Sequence, residues 1–131
     1  MVLPVLRLER AVYKFEKLEV YQLALDYIDQ VYAIANKLPR HETYNLGSQL
    51  TRAATSIALN IAEGSTGQSD PEQGRFLSMA IRSLLETVAC RHIIERRAYL
   101  NADEQLLRKL DDSGQTLARK LQAMRKAVIK K

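Results

Sequence analysis

The sequence predicts an all-α domain, an antiparallel up-down four-helix bundle, and three observations carry that expectation. Apolar residues recur at three- and four-residue spacing through four long stretches. Three short breaks separate those stretches, so successive helices must turn back on one another. Only eight of the 131 residues are aromatic, beside five Gly and three Pro, a composition that disfavours an all-β fold. A chain of this length buries one core without metal or disulfide staples. Residues 18–131 are assigned to the bundle; residues 1–17 form an N-terminal arm, either extended or disordered.

The first helix is expected from about Leu18 to Lys37 and carries two adjacent apolar seams. One runs through Leu18, Tyr21, Leu25, Ile28, Tyr32 and Ala35; the other through Val20, Ala24, Tyr27, Val31, Ile34 and Leu38. A single bundle core needs one seam, and the sequence leaves open which of the two faces it. Leu38-Pro39 ends the helix, because the residue before proline is pushed out of the α region. The second helix is expected from about Tyr44 to Glu63, with Gly64 as the C′ residue that stops it. Leu46, Leu50, Ala53, Ile57 and Asn60 share its core seam, while Gln49, Arg52, Ser56 and Glu63 repeat beside them. The small residues Ala53, Ala54, Ser56 and Ala58 allow another helix to approach closely.

The third helix has the clearest start signal: Asp70 as cap, Pro71 at the first helical position and Gln73 completing a capping pattern. It continues through Leu77, Ile81, Leu84 and Val88 to about Arg97. The fourth is expected to begin at Asn101, with Glu104 as its capping-box partner. It runs through Leu106, Leu110, Gly114, Leu117, Leu121, Met124 and Val128, and Ser113-Gly114 is the point where it would bend or fray.

Charge is unevenly placed. The formal +5 divides into zero over residues 1–66, −1 over 67–112 and +6 over 113–131. Arg119, Lys120, Arg125, Lys126, Lys130 and Lys131 supply all of the last figure. Two readings stand: cations favoured by the C-terminal end of a helix dipole, or a basic surface for nucleic acid or an acidic partner.

The catalytic inventory is thin, and no catalytic residue, cofactor or metal is expected. Cys90 and His92 are two apart on a helix, pointing about 200° away from each other, and cannot share a metal. No C-x-x-C or H-x-x-x-H is present, nor the paired Glu-x-x-His of di-iron bundles. The loop 64–69 lacks the lysine of a P-loop and follows a helix. A lone cysteine suits a reducing cytoplasm, and no apolar run approaches the roughly 20 residues of a membrane helix. The residues that stand out are polar ones written into apolar helices: Arg52, Ser56, Asn60 and Glu63. Arg52 and Glu63 lie three turns apart, so each needs a partner on another helix, another subunit or a ligand. A paired network within or between bundles and a ligand site are both consistent with them.

An ordered series of segments carries a family resemblance: Phe15-Glu-Lys-Leu-Glu-Val-Tyr21, Leu38-Pro39, Glu42-Thr-Tyr-Asn-Leu46, Gln49-Leu-Thr-Arg-Ala-Ala54, Ser56-Ile-Ala-Leu-Asn-Ile-Ala-Glu-Gly64 and Ser83-Leu-Leu-Glu86. From about Phe15 to Leu121 the chain resembles the four-helix-bundle proteins encoded within 23S ribosomal RNA intervening sequences. Their superfamily includes the accessory variability determinant proteins of diversity-generating retroelements. Tyr21 stands where the family commonly has Trp, and Ala58 where it often has Pro. The resemblance implies a non-enzymatic homo-oligomer, typically a ring-like pentamer. The intervening-sequence branch has no settled biochemical role, while retroelement members bind nucleic acid and work beside a reverse transcriptase; by analogy, and with the basic C-terminal segment, RNA or DNA is the expected partner here. A protein–protein scaffold with no nucleic-acid role is the alternative.

Overall fold

In a computed structural model that describes residues 12–67 and 69–130, the chain forms four antiparallel helices. They are α1 (Glu19–Ala35), α2 (Leu46–Gly64), α3 (Asp70–Arg96) and α4 (Glu104–Ile129). α1 packs on α2 and α4, and α3 packs on the same two, which gives a square bundle. No strand occurs among the described residues. Residues 1–11 of the expected arm lie outside them, and Lys14–Lys17 forms a 3-10 turn. That turn seats Phe15 edge-on against Tyr21, 4.9 Å between ring centres.

The core settles the question of the two α1 seams. Val20, Ala24, Tyr27, Val31, Ile34 and Leu38 are all buried. The other seam is half-buried and leaves Tyr32 47% exposed. At mid-core the Tyr27 hydroxyl meets Thr87 Oγ1 of α3 at 2.6 Å. Thr87 spends its own proton on the Leu84 carbonyl, also at 2.6 Å, so Tyr27 is the donor. Burial pushes the Tyr27 phenol above its ordinary pKa, so it stays protonated and able to donate.

Gly114 explains how the ring fits. A Cβ there would lie 3.3 Å from Tyr27 Cε1, so α4 presents bare backbone to the aromatic face. Ser113-Gly114 is therefore not a weak point: α4 runs unbroken through it. Gly64 is likewise corrected. It is the last helical residue of α2, buried, and a Cβ would come within 2.9 Å of Phe76 Cβ. Its role is close approach of α2 to α3; the positive φ after the helix belongs to Gly67, at 87°.

The helix starts shift by one to three residues from expectation. Ser69, not Asp70, caps α3, its hydroxyl accepting from Glu72 N–H at 3.4 Å. Asn101–Asp103 forms a 3-10 turn and α4 begins at Glu104 without a side-chain cap. α3 closes in a Schellman motif, with Tyr99 N–H on Ile94 O at 3.2 Å and Ala98 N–H on Glu95 O at 3.0 Å. Ala98 takes φ 58°, a position where glycine is usual.

Gly64→Ala is expected to lower the unfolding free energy by about 1–3 kcal/mol, because its new methyl meets the rigid base of Phe76 rather than a flexible tip. Urea denaturation measures it; an unchanged midpoint would contradict the close-approach reading.

Candidate nucleic-acid interface

α4 carries the basic segment, and the fold sorts its cations by what each one faces. Arg125 is half-buried and donates from Nε to Ser78 Oγ of α3 at 2.6 Å, which anchors it in the groove between the two helices. Lys120 turns the other way and pairs with Glu19 of α1 at 3.0 Å. Arg119, Lys126 and Lys130 are exposed, and among the described residues none forms an ion pair. Lys131 lies outside the described residues.

The three free cations share one line of α4. Spacings of seven and four residues return to nearly the same azimuth, and at 1.5 Å per residue they span about 16 Å. Asp112, seven residues before Arg119, ends the line with an exposed acid. Arg82 of α3 is a further exposed cation. It sits one turn beyond Ser78, is exposed, and forms no ion pair among the described residues. Counting charge by segment hides Arg82, because residues 67–112 sum to −1.

The second group of residues does not converge into a ligand site. Asn60 donates from Nδ2 to the Ser56 carbonyl at 2.9 Å and to Ser56 Oγ at 3.0 Å. Ser83 Oγ of α3 donates to the same Ser56 hydroxyl at 2.9 Å. Asn60, Ser56 and Ser83 thus form a closed chain between α2 and α3, the intra-bundle network expected for polar groups on a helix interface. Arg52 and Glu63 are both exposed; Arg52 bonds Ser48 Oγ on its own helix, at 2.9 Å, and lines the groove between Tyr32 and Leu59.

The sequence that builds these four helices, Ser56, Asn60 and Gly64 included, matches a known family. The model of the 23S rRNA-intervening sequence protein family covers residues 16–123. The chain belongs to that family. No curated protein sequence matches it. The match reaches through Arg119 and Lys120 and stops before Arg125, so Lys126 and Lys130 lie beyond the family's matched core.

Among the described residues of this family member, no cluster of His, Cys, Asp and Glu is placed to hold a metal, and no helix is long and apolar enough to cross a membrane.

The division among the cations has a stability signature. Arg125→Ala is expected to cost about 1–2 kcal/mol, since it removes a charged hydrogen bond in a groove. Arg119→Gln, away from the helix end and without an ion pair, should shift stability by no more than about 0.5 kcal/mol. Equal losses in urea titrations would contradict the sorting.

Proposed function

We propose that this chain is a non-enzymatic, cytoplasmic, homo-oligomeric bundle that holds RNA, or nucleic acid more generally, against the outer face of α4. One observation carries the reading: Arg119, Lys126 and Lys130 line up outward on α4, and none of them forms an ion pair among the described residues. Such a stripe neutralises backbone phosphates and reads no base edge, so binding is tolerant of sequence and driven by release of counterions. Self-assembly multiplies the stripe, and each added copy raises the effective concentration of the others.

The oligomer part of the reading is supported by what α1 and α2 leave uncovered. Tyr32 on α1 and Leu59 on α2, the latter 62% exposed, flank a shallow groove floored by the small hydroxyls of Thr51 and Thr55. The inward α1 seam is satisfied by its own bundle. The outward seam is apolar surface that a neighbouring copy covers in a homo-oligomer, and the pentamer of the resemblance is one such arrangement.

Fluorescence anisotropy with a structured RNA at two or more salt concentrations tests the electrostatic part. Affinity should fall steeply with salt, and each stripe cation replaced by Gln should flatten the slope by about 0.9 per lost phosphate contact. Absence of binding at low salt, or a slope unmoved when all three are replaced, would overturn it. For assembly, Tyr32→Glu is expected to release monomers that keep full helical circular dichroism. Multi-angle light scattering reporting a monomer for the native chain would end the oligomer reading.

A further inference from the structure

The α1–α2 and α3–α4 connections meet at the end of the bundle away from the α4 C-terminus. Tyr99 ties them together, its hydroxyl donating to Glu42 Oε2 at 2.7 Å. On the first of these connections Tyr44 stands 94% exposed, the most exposed large hydrophobic residue among those described. Its turn is nevertheless fixed. Glu42 N–H bonds Pro39 O at 2.8 Å, Thr43 N–H bonds Arg40 O at 3.2 Å and Asn45 N–H bonds Glu42 O at 3.1 Å. The Asn45 side chain also donates to Glu42 Oε1 at 2.9 Å. A ring on an anchored turn loses little further freedom when something stacks on it.

The charges around it are one-sided. Every carboxylate at this end is already engaged: Glu42 by Tyr99 and Asn45, Asp103 by Lys37 at 3.6 Å, Glu95 by Arg91, and Glu104 by Arg108 at 3.7 Å. Arg40, Arg96 and Arg97 form no ion pair among the described residues, and Arg97 lies over the Tyr99 ring at 6.0 Å. Thr43 and Asn45 flank the exposed ring and Arg40 lies in the same turn, its carbonyl accepting from Thr43 N–H, so the ring lacks the apolar rim that a protein hot spot requires. Aromatic faces with arginines alongside are instead what holds splayed-out bases and their phosphates.

We propose that this end of the bundle is a stacking site for an unpaired RNA base, with Tyr44 as the platform and Arg40 on the flanking phosphate. The site rests on the nucleic-acid reading above and deepens it: α4 takes the backbone, and the loop end takes a base that is out of its helix.

The test compares a hairpin RNA carrying 2-aminopurine in its loop with a blunt duplex of the same stem. The native chain should quench the loop fluorophore. Tyr44→Leu should abolish the quenching and weaken hairpin binding by about tenfold, Tyr44→Phe should retain both, and duplex affinity should be the same in all three. Hairpin affinity and quenching untouched in Tyr44→Leu, with duplex binding intact, would overturn the stacking site, leave the α4 reading standing and give the loop end to a protein partner. Failure of the native chain to bind either RNA at low salt would overturn both.

Discussion

The Tyr27 hydroxyl is the constraint on which the bundle's register depends. A phenol at the centre of a four-helix core costs about 1–3 kcal/mol if its donor goes unmet, and Thr87 is the group that meets it. Because Thr87 already donates to Leu84 O, it has only acceptor capacity to offer, which fits a tyrosine proton and nothing else nearby. The ring also needs width, and Gly114 supplies it from the far side. One side chain of α1 therefore holds α3 and α4 at a single level. Sliding α3 by one residue would swing Thr87 about 100° around the helix and orphan the phenol.

With that level fixed, the surface chemistry of the bundle follows. Antiparallel α3 and α4 bring Ser78 opposite Arg125 and Arg91 opposite Asp111, the latter pair at 3.1 Å. Cations that fall on the α3 side of α4 are thereby engaged within the fold. Lys120, on the α1 side, is engaged by Glu19. Only the outward azimuth remains, and it holds Arg119, Lys126 and Lys130. At the other end the same register brings the two connections together, so that Glu42 can accept from both Asn45 and Tyr99. Those bonds hold its carboxyl below the ordinary range, the Tyr99 hydroxyl contributing most. The ionised form is thus stabilised by folding, a contribution present above the usual carboxylate pKa and lost as the pH falls through the lowered one.

The helices were legible in the sequence because apolar periodicity is local and redundant: four to seven residues vote on each seam, and no single one decides it. What escaped depends on a partner helix. Gly64 and Gly114 look from sequence like a stop signal and a weak spot, yet both exist for a neighbour's ring, Phe76 and Tyr27. Ala98 gives no sequence signal at all, since the left-handed position closing α3 is ordinarily read from glycine. The cap of α3 slipped by one because Ser69 and Asp70 are both good caps, and only geometry chooses between them. In the candidate interface, the basic segment was visible but its sorting was not. The engagement of Arg125 by Ser78 and of Lys120 by Glu19 cannot be read without knowing how α4 sits on α3 and α1.

The competing explanation for the basic segment, the helix dipole, now separates from a binding role residue by residue. The dipole acts within the last turn of a helix. It accounts for Lys126 and Lys130 near the end of α4, wherever they fall around the axis. It does not reach Arg119, ten residues before the last helical residue Ile129, nor Arg82 in the middle of α3. Neither of these is used by an internal carboxylate or by a helix terminus. A long cation held exposed without a partner carries no stability benefit that would place it there. Arg119 is thus a charge that neither the dipole nor an internal carboxylate employs, and it shares its line on α4 with the two lysines that the dipole explains. The proposed polyanion would account for all three with one cause.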